Sequence, residues 1–552
     1  MSHWYEKTAI CSLVDRAAQR FGSKEALYFE GNRWTFAQLK EDVDRCARGL
    51  IRLGVKPGEQ VALWMPNRPE WIHMLFAVVK VGAVLVPINT RFRTADLEYV
   101  LRQSDSATLI TVDRSGPVDY LGMVRELCPE LETGDPNGLR LENFPELKRV
   151  VVFGDRRYSG VLGWEDILAT SDEVPYQKLE ARQQAVDPDE PFLILYTSGT
   201  TGFPKAARLT PANLFANAAQ IALWASDAKL GEEKILGVLP LFHAFGMTAV
   251  MNFGIRIGAE LILLPHFKTA EVLEAIDRER PTIFIGVPTM FSALNAPRDI
   301  GKYDLTSLNF CISGGAPLPV EIQREFEERS GCVLVEGYGL SETSPVVTVN
   351  PLTGDGKAGS VGLPLPGTVI TIISTENPGV VLPVGERGEV CIQGPQVMAG
   401  YANRARENIE VFEGGVLHTG DIGYIDEDGF VFIVDRIKDL ILSGGFNVYP
   451  RMVEEAVYLH PAVAEVAVCG VADQHRGEIV KAFVALKEGE KVTAAELRAF
   501  LKDKLAPFQL PRRIEFRDTL PKTLIGKISK KELIAKDAAA KPAAEPINAA
   551  GD

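Results

Sequence analysis

Segments with a helical apolar stripe alternate with short apolar runs that read as buried strands, and this alternation limits the fold more than any other feature. Residues 12–21 carry Leu13, Val14, Ala17, Ala18 and Phe21 at helical spacing. Arg33-Trp34-Thr35-Phe36 is expected to open a second helix that runs to Leu53 and stops at Gly54. Gln60-Val61-Ala62-Leu63-Trp64-Met65 then reads as a buried strand ended by Pro66-Asn67. Similar helix-then-strand units recur around 270–287 and 320–335. Such strands have no polar face, so helices must cover both sides of a largely parallel sheet. The spacing changes after about Val381: 389–394 and 429–434 read as antiparallel strands with the turn Asp426-Glu427-Asp428-Gly429 between them. From Arg436 the pattern is compact α+β, with helices near 450–459 and 494–505 and strands near 463–470 and 481–486. The Ala/Pro-rich segment 537–546 predicts disorder.

Composition excludes several classes. A chain of 552 residues can bury a large core without metal or disulfide staples. Its net charge of −14 argues against nucleic acid as a partner. The 117 residues from Arg436 onward hold 19 Lys and Arg against 16 Asp and Glu, read as solvated surface. The seven cysteines, Cys11, Cys46, Cys128, Cys311, Cys332, Cys391 and Cys469, form no C-x-x-C pair. They read as packed, reduced thiols, which predicts a cytoplasmic setting. The start, Met1-Ser2-His3-Trp4-Tyr5-Glu6-Lys7, lacks a secretory pattern. The longest apolar stretch, 74–86, is interrupted by Lys80 and is too short to span a bilayer. Peripheral membrane contact stays open, as does the choice between monomer and homodimer.

The strand Leu193-Ile194-Leu195-Tyr196 runs into Thr197-Ser198-Gly199-Thr200-Thr201-Gly202-Phe203-Pro204-Lys205. Four hydroxyls, two glycines and a lysine in nine residues suit a polyphosphate. Glycines let backbone N–H groups approach an anion, hydroxyls donate, and Lys205 adds positive charge. The spacing is not that of a Walker A loop, because Phe203-Pro204 follow Gly202. Thr210-Pro211 then read as the N-cap and first position of a new helix.

This loop resembles the signature of the adenylate-forming superfamily, which holds acyl-CoA synthetases, luciferases and peptide-synthetase adenylation domains. Matching segments follow in order from about Phe36 to Leu533. The resemblance implies a large N-terminal domain of layered α/β sheets with a β-barrel-like subdomain (1–435), a small mobile α+β lid (436–536) and a tail (537–552). Gly314-Gly315-Ala316-Pro317 and Glu336-Gly337-Tyr338-Gly339-Leu340-Ser341-Glu342-Thr343 resemble the adenine walls and the metal segment. Glycines at 337 and 339 would let a flat base lie on the backbone, with Tyr338 stacking on it. Glu342, with Thr197, would hold Mg²⁺. His418-Thr419-Gly420-Asp421 and Asp435-Arg436-Ile437-Lys438 supply, by resemblance, the ribose partners Asp421 and Arg436 and the hinge Lys438. Ser443-Gly444-Gly445 resembles the lining of a coenzyme A tunnel. Leu520-Pro521-Lys522-Thr523-Leu524-Ile525-Gly526-Lys527 resembles the loop of the catalytic lysine, Lys527, with Leu524 and Ile525 where small or polar residues are common. His243 resembles a histidine between the carboxylate and thiol paths; a packed core histidine reads equally well. Phe242, Gly286, Val287 and Gly314 are expected around the acyl chain.

The implied chemistry joins these parts. A carboxylate attacks the α-phosphate of ATP, leaving acyl-AMP and pyrophosphate, and the thiol of coenzyme A then displaces AMP. The substrate expected is a medium- or long-chain fatty acid. An alicyclic or aromatic acid, or a carrier protein as acceptor, fits the same residues. An amino-acid substrate is disfavoured because Phe242-His243 stand where an acidic partner for the amine is needed. A luciferase-type oxidation is weakened by Leu442, at a place that resembles a lysine-bearing position there. A nucleotide-binding regulator on the same fold is opposed by the presence of Lys205, Glu342, Asp421, Arg436 and Lys527 together.

Overall fold

The computed structural model describes residues 6–539 except 155, 198–203, 298–299, 354–355, 378, 444–445, 474–476 and 523–527. The chain divides into two compact units, 1–370 with 391–418, and 371–390 with 419–552.

The first unit contains two large sheets. In one, Gln60–Trp64, Val84–Pro87, Thr108–Val112 and Arg149–Phe153 run parallel. Leu193–Thr197 joins parallel to Val84–Pro87, and Lys205–Leu209 returns antiparallel beside it. The other sheet has a parallel core of Glu25–Phe29, Glu260–Leu263, Lys234–Gly237, Ile283–Gly286, Phe310–Ser313 and Val333–Gly339. The strands Ile283–Gly286, Phe310–Ser313 and Glu260–Leu263 are buried throughout, as strands covered on both faces must be. Helix Ser12–Phe21 forms as expected. Helix Phe36–Arg52 buries the stripe Phe36, Leu39, Val43, Cys46, Ala47 and Leu50.

Asn32–Thr35, expected to open a helix, instead forms an edge strand antiparallel to Glu25–Phe29. Glu30 and Gly31, both at positive φ (47° and 86°), make the tight turn such a hairpin needs. The helix begins one residue later, with the Thr35 hydroxyl accepting from Gln38 N at 3.2 Å.

The apolar stretch 74–86 divides between the buried helix Pro69–Lys80 and the strand Val84–Pro87. The Lys80 ammonium is fully buried and reaches Asp15 at 2.7 Å and Asp44 at 2.6 Å. No helix among the described residues is long and apolar enough to cross a membrane.

A four-stranded sheet of Val369–Ile373, Gly388–Gln393, Leu417–Ile425 and Val431–Arg436 follows in the chain, and the second unit continues into an α+β module. Gly429 N donates to Asp426 O at 3.0 Å, closing the expected turn. Val463–Asp473 pairs with Gly477–Leu486 over its length. Helices Pro450–Tyr458 and Ala494–Leu501 cover that hairpin through Val453, Val457 and Leu497. The tail departs from expectation at its start, since Asp537–Ala539 continue the helix Lys530–Ala539. Alanine favours helix, and Asp537 accepts from Lys481, which pins that turn. Residues 540–552 lie outside the described set.

Candidate active site

Three segments singled out by sequence share one edge of the first unit. Ile283–Gly286, Phe310–Ser313 and Val333–Gly339 are parallel neighbours, with Gly286 opposite Ser313 and Ser313 opposite Glu336. Their carboxyl ends therefore bring Gly286-Val287, Gly314-Gly315-Ala316-Pro317 and Glu336–Gly339 side by side, where open α/β sheets bind ligands. Gly314 N donates to Gly286 O at 3.1 Å, and Gly315 turns the chain at φ 80°. Val287 is buried at the start of helix Pro288–Asn295, and Glu336 is nearly buried.

The structure gives two of these residues a role that sequence did not expect. A Cβ on Gly339 would lie 1.8 Å from the Pro345 carbonyl oxygen, so the neighbouring backbone, not a ligand, requires glycine there. A Cβ on Gly337 would stand 3.1 Å from Thr348 O, a tight but lesser contact. The buried Thr343 hydroxyl donates to Pro345 O at 2.6 Å and accepts from Leu340 N at 3.0 Å. It is thus used in closing the turn beside Glu342.

The phosphate loop is held at both ends. Thr197 lies opposite Lys205 in an antiparallel pair, and Thr210 caps helix Pro211–Trp224 by accepting from Asn213 N. Ser198, Gly199, Thr200, Thr201 and Gly202 lie outside the described residues. Lys205 Nζ meets Glu407 Oε2 at 2.8 Å and stands 5.0 Å from the centre of the Tyr401 ring. Hydrogen bonding to Lys205 holds the Glu407 carboxyl below its usual range. Tyr401 Oη donates to Glu342 Oε1 at 2.8 Å. Burial, and then the Glu342 charge, push the Tyr401 phenol upward, so it stays a donor. Tyr401 and Glu407 were not singled out from sequence; the available signal was Gly400-Tyr401, a two-residue strand ending in an aromatic.

His243 borders a small cleft of about 60 Å³ with Phe242, Tyr196, Pro87 and Ser341, next to Glu342 in the chain. Its Nδ1 accepts from Phe245 N at 3.2 Å, which leaves the proton on Nε2. Burial pushes the imidazole down to about 4, so it is neutral at physiological pH. The Phe245 ring closes on Gly314, where a Cβ would meet it at 2.9 Å.

In the second unit Asp421 and Arg436 face each other across paired strands, and Arg436 Nε meets Asp421 Oδ1 at 2.9 Å. Asp421 is 2% exposed, whereas Arg436 is 40% exposed and can meet a ligand. Lys438 sits in the short turn Ile437–Asp439. Buried Ser443 pairs with Phe446, and Gly444 and Gly445 lie outside the described residues. Lys522 bridges to Ile528, and Ser529 N donates to Pro521 O at 2.8 Å. Lys527 also lies outside the described residues.

The family model of the AMP-binding enzymes matches residues 14–402, and that of the AMP-binding enzyme C-terminal domain matches 452–527. The chain is an AMP-binding enzyme. It is 40% identical over 536 residues to a long-chain-fatty-acid–CoA ligase of Bacillus subtilis (strain 168), covering 96% of this chain and 95% of that protein. It is 37% identical to the mitochondrial medium-chain acyl-CoA ligase ACSF2 of Bos taurus, covering 94% and 86%. Among solved structures, the anthranilate CoA ligase AuaEII in complex with anthranoyl-AMP superposes with a TM-score of 0.85 at 29% identity, covering 97% of this chain and 98% of that one. The expected adenylate-forming superfamily and fold class both hold, and this AMP-binding enzyme belongs to the acyl-CoA ligase branch.

For an AMP-binding enzyme the donor types at Glu342 and Thr197 fit a hard cation. Glu342 keeps one carboxylate oxygen beyond the one Tyr401 occupies, and among the described residues the Thr197 hydroxyl makes a long, 3.4 Å contact to Lys205 O. Both are oxygen donors, as Mg²⁺ prefers.

Proposed function

We propose that this enzyme activates a medium- or long-chain fatty acid as acyl-AMP and transfers it to coenzyme A, releasing AMP and pyrophosphate. The observation that carries the reading is the Lys205–Tyr401–Glu342 cluster at the end of the phosphate loop, within a chain whose relatives are named acyl-CoA ligases. Residues 197–202 and Lys205 take the phosphates. Gly315, Ala316, Pro317, Glu336, Gly337, Tyr338, Gly339 and Thr343 shape the adenine site, and Asp421 with Arg436 takes the ribose. Mg²⁺ held by Glu342 and Thr197 would neutralise phosphate charge, and Lys527 would stabilise the charge growing on the α-phosphate. Neutral His243 can donate from Nε2 to the acid without adding charge. Lys438 is the hinge of a lid, 436–536, that alternates Lys527 with the Ser443-Gly444-Gly445 tunnel. Burial of all seven cysteines suits packed thiols in a cytoplasmic setting.

The apolar surroundings support an alkyl chain: Phe242 lines the cleft, and Phe284 and Phe291 pack against Gly286. An aromatic acid is the second reading, because the anthranilate ligase shares the fold over nearly the whole chain. The test is pyrophosphate release with ATP and free coenzyme A across acids from acetate to palmitate, with benzoate included. Highest kcat/KM on octanoate to palmitate is expected. Preference for benzoate would replace the fatty acid, and turnover only with an acyl carrier protein would replace coenzyme A.

A further inference from the structure

We propose that Tyr401 is a positioning residue that orients the Glu342 carboxylate for a divalent cation while giving its ring face to Lys205. The inference rests on the reading of Glu342 and Lys205 as cation and phosphate partners, and adds the side chain that sets them relative to each other.

The backbone of Tyr401 is fixed before its side chain acts. Gly400–Tyr401 pairs antiparallel with Lys205–Leu209, Ala207 opposite Tyr401. Tyr401 N donates to Asn408 Oδ1 at 2.7 Å, and Asn408 Nδ2 donates back to Tyr401 O at 2.9 Å. A Cβ at residue 400 would stand 3.1 Å from Asn408 Oδ1, at φ 120°, so glycine leaves room for this clamp. Glu342 is fixed at its other end, where Met398 N donates to Glu342 O at 2.8 Å. The Tyr401 hydroxyl can then do one thing at Glu342, donate to Oε1, and Oε2 is the atom left for a metal. The same ring presents its face to the Lys205 ammonium, whose other partner is Glu407. A rigid aromatic thus touches both the carboxylate, through its hydroxyl, and the ammonium, through its ring face. Partners behind a metal ligand commonly set ten-fold or more of its affinity.

The test uses Mn²⁺ as the probe, followed by electron paramagnetic resonance in the full-length enzyme with ATP, and ATP binding by calorimetry in EDTA. Tyr401→Phe keeps the ring and removes the hydroxyl. It is expected to weaken Mn²⁺ about ten-fold while metal-free ATP binding changes less than about two-fold. Tyr401→Leu also removes the π-face and is expected to weaken metal-free ATP by a further ~3-fold. Mn²⁺ binding of Tyr401→Phe equal to wild type, or equal loss of metal-free ATP in both variants, overturns the inference. Glu342→Gln separates the two levels. If that variant keeps Mn²⁺ affinity, the metal role of Glu342 itself fails. If it loses Mn²⁺ affinity and Tyr401→Phe does not, only the role of Tyr401 fails.

Discussion

His243 offers a pH prediction whose size follows from its surroundings. Burial moves the imidazole from its ordinary 6.5 to about 4, and Phe245 N donates to Nδ1, the atom a second proton would occupy. Folding therefore favours the neutral ring. Above pH 6.5 the folded and unfolded chains both hold it neutral, and its contribution is fully present. As pH falls, the unfolded chain binds a proton that the folded protein refuses, so stability is lost down to about pH 4. The loss from this residue is ~2 kcal/mol at pH 5 and approaches ~3 kcal/mol at pH 4. The measurement is urea unfolding at pH 7 and pH 5 for wild type and His243→Gln. Wild type should lose ~2 kcal/mol more than the variant over that interval, and buried His73, present in both, cancels. Equal losses in the two proteins would refute the assignment of a desolvated neutral histidine.

Other expectations concern packing and the lysine loop. Asp44→Ala leaves the fully buried Lys80 ammonium with only Asp15; a destabilisation of about 3–5 kcal/mol is expected by denaturant unfolding, and a loss below ~1 kcal/mol would contradict a buried pair. Gly339→Ala places a methyl 1.8 Å from Pro345 O, so it should depress the melting temperature and adenylation far more than Gly337→Ala, whose nearest neighbour is at 3.1 Å. Similar behaviour of these two variants would show that Gly339 serves only a ligand.

The parts legible in sequence were those with local signals. Helical stripes, buried strands, the Thr210-Pro211 start and the turn at Asp426–Gly429 all follow from neighbours within a few residues. The Asn32–Thr35 strand is hidden in sequence because the helical stripe beginning at Phe36 follows Arg33-Trp34-Thr35 without a break in pattern. Lys80 read only as an interruption, since Asp15 and Asp44 lie 65 and 36 residues away. The Tyr401–Glu342 contact joins residues 59 apart. Tyr401 reaches Lys205 through a strand pairing nearly two hundred residues apart in sequence, and no periodicity carries such a register. Glycine at 339 was legible as a requirement but not as a reason: sequence alone suggests a ligand, whereas the fold places the Pro345 carbonyl against it.

On the proposed mechanism, Lys527 drives adenylate formation beside the phosphate loop and leaves the site before the thiol attacks. The most direct measurement compares Lys527→Ala with wild type in two half-reactions: exchange of labelled pyrophosphate into ATP with a fatty acid, and thioester formation from pre-made acyl-AMP and coenzyme A. Exchange should fall ~10²–10³-fold while thioester formation stays within a few-fold of wild type. Equal loss of both half-reactions would contradict the account, as would a wild-type enzyme that exchanges no pyrophosphate with any carboxylic acid.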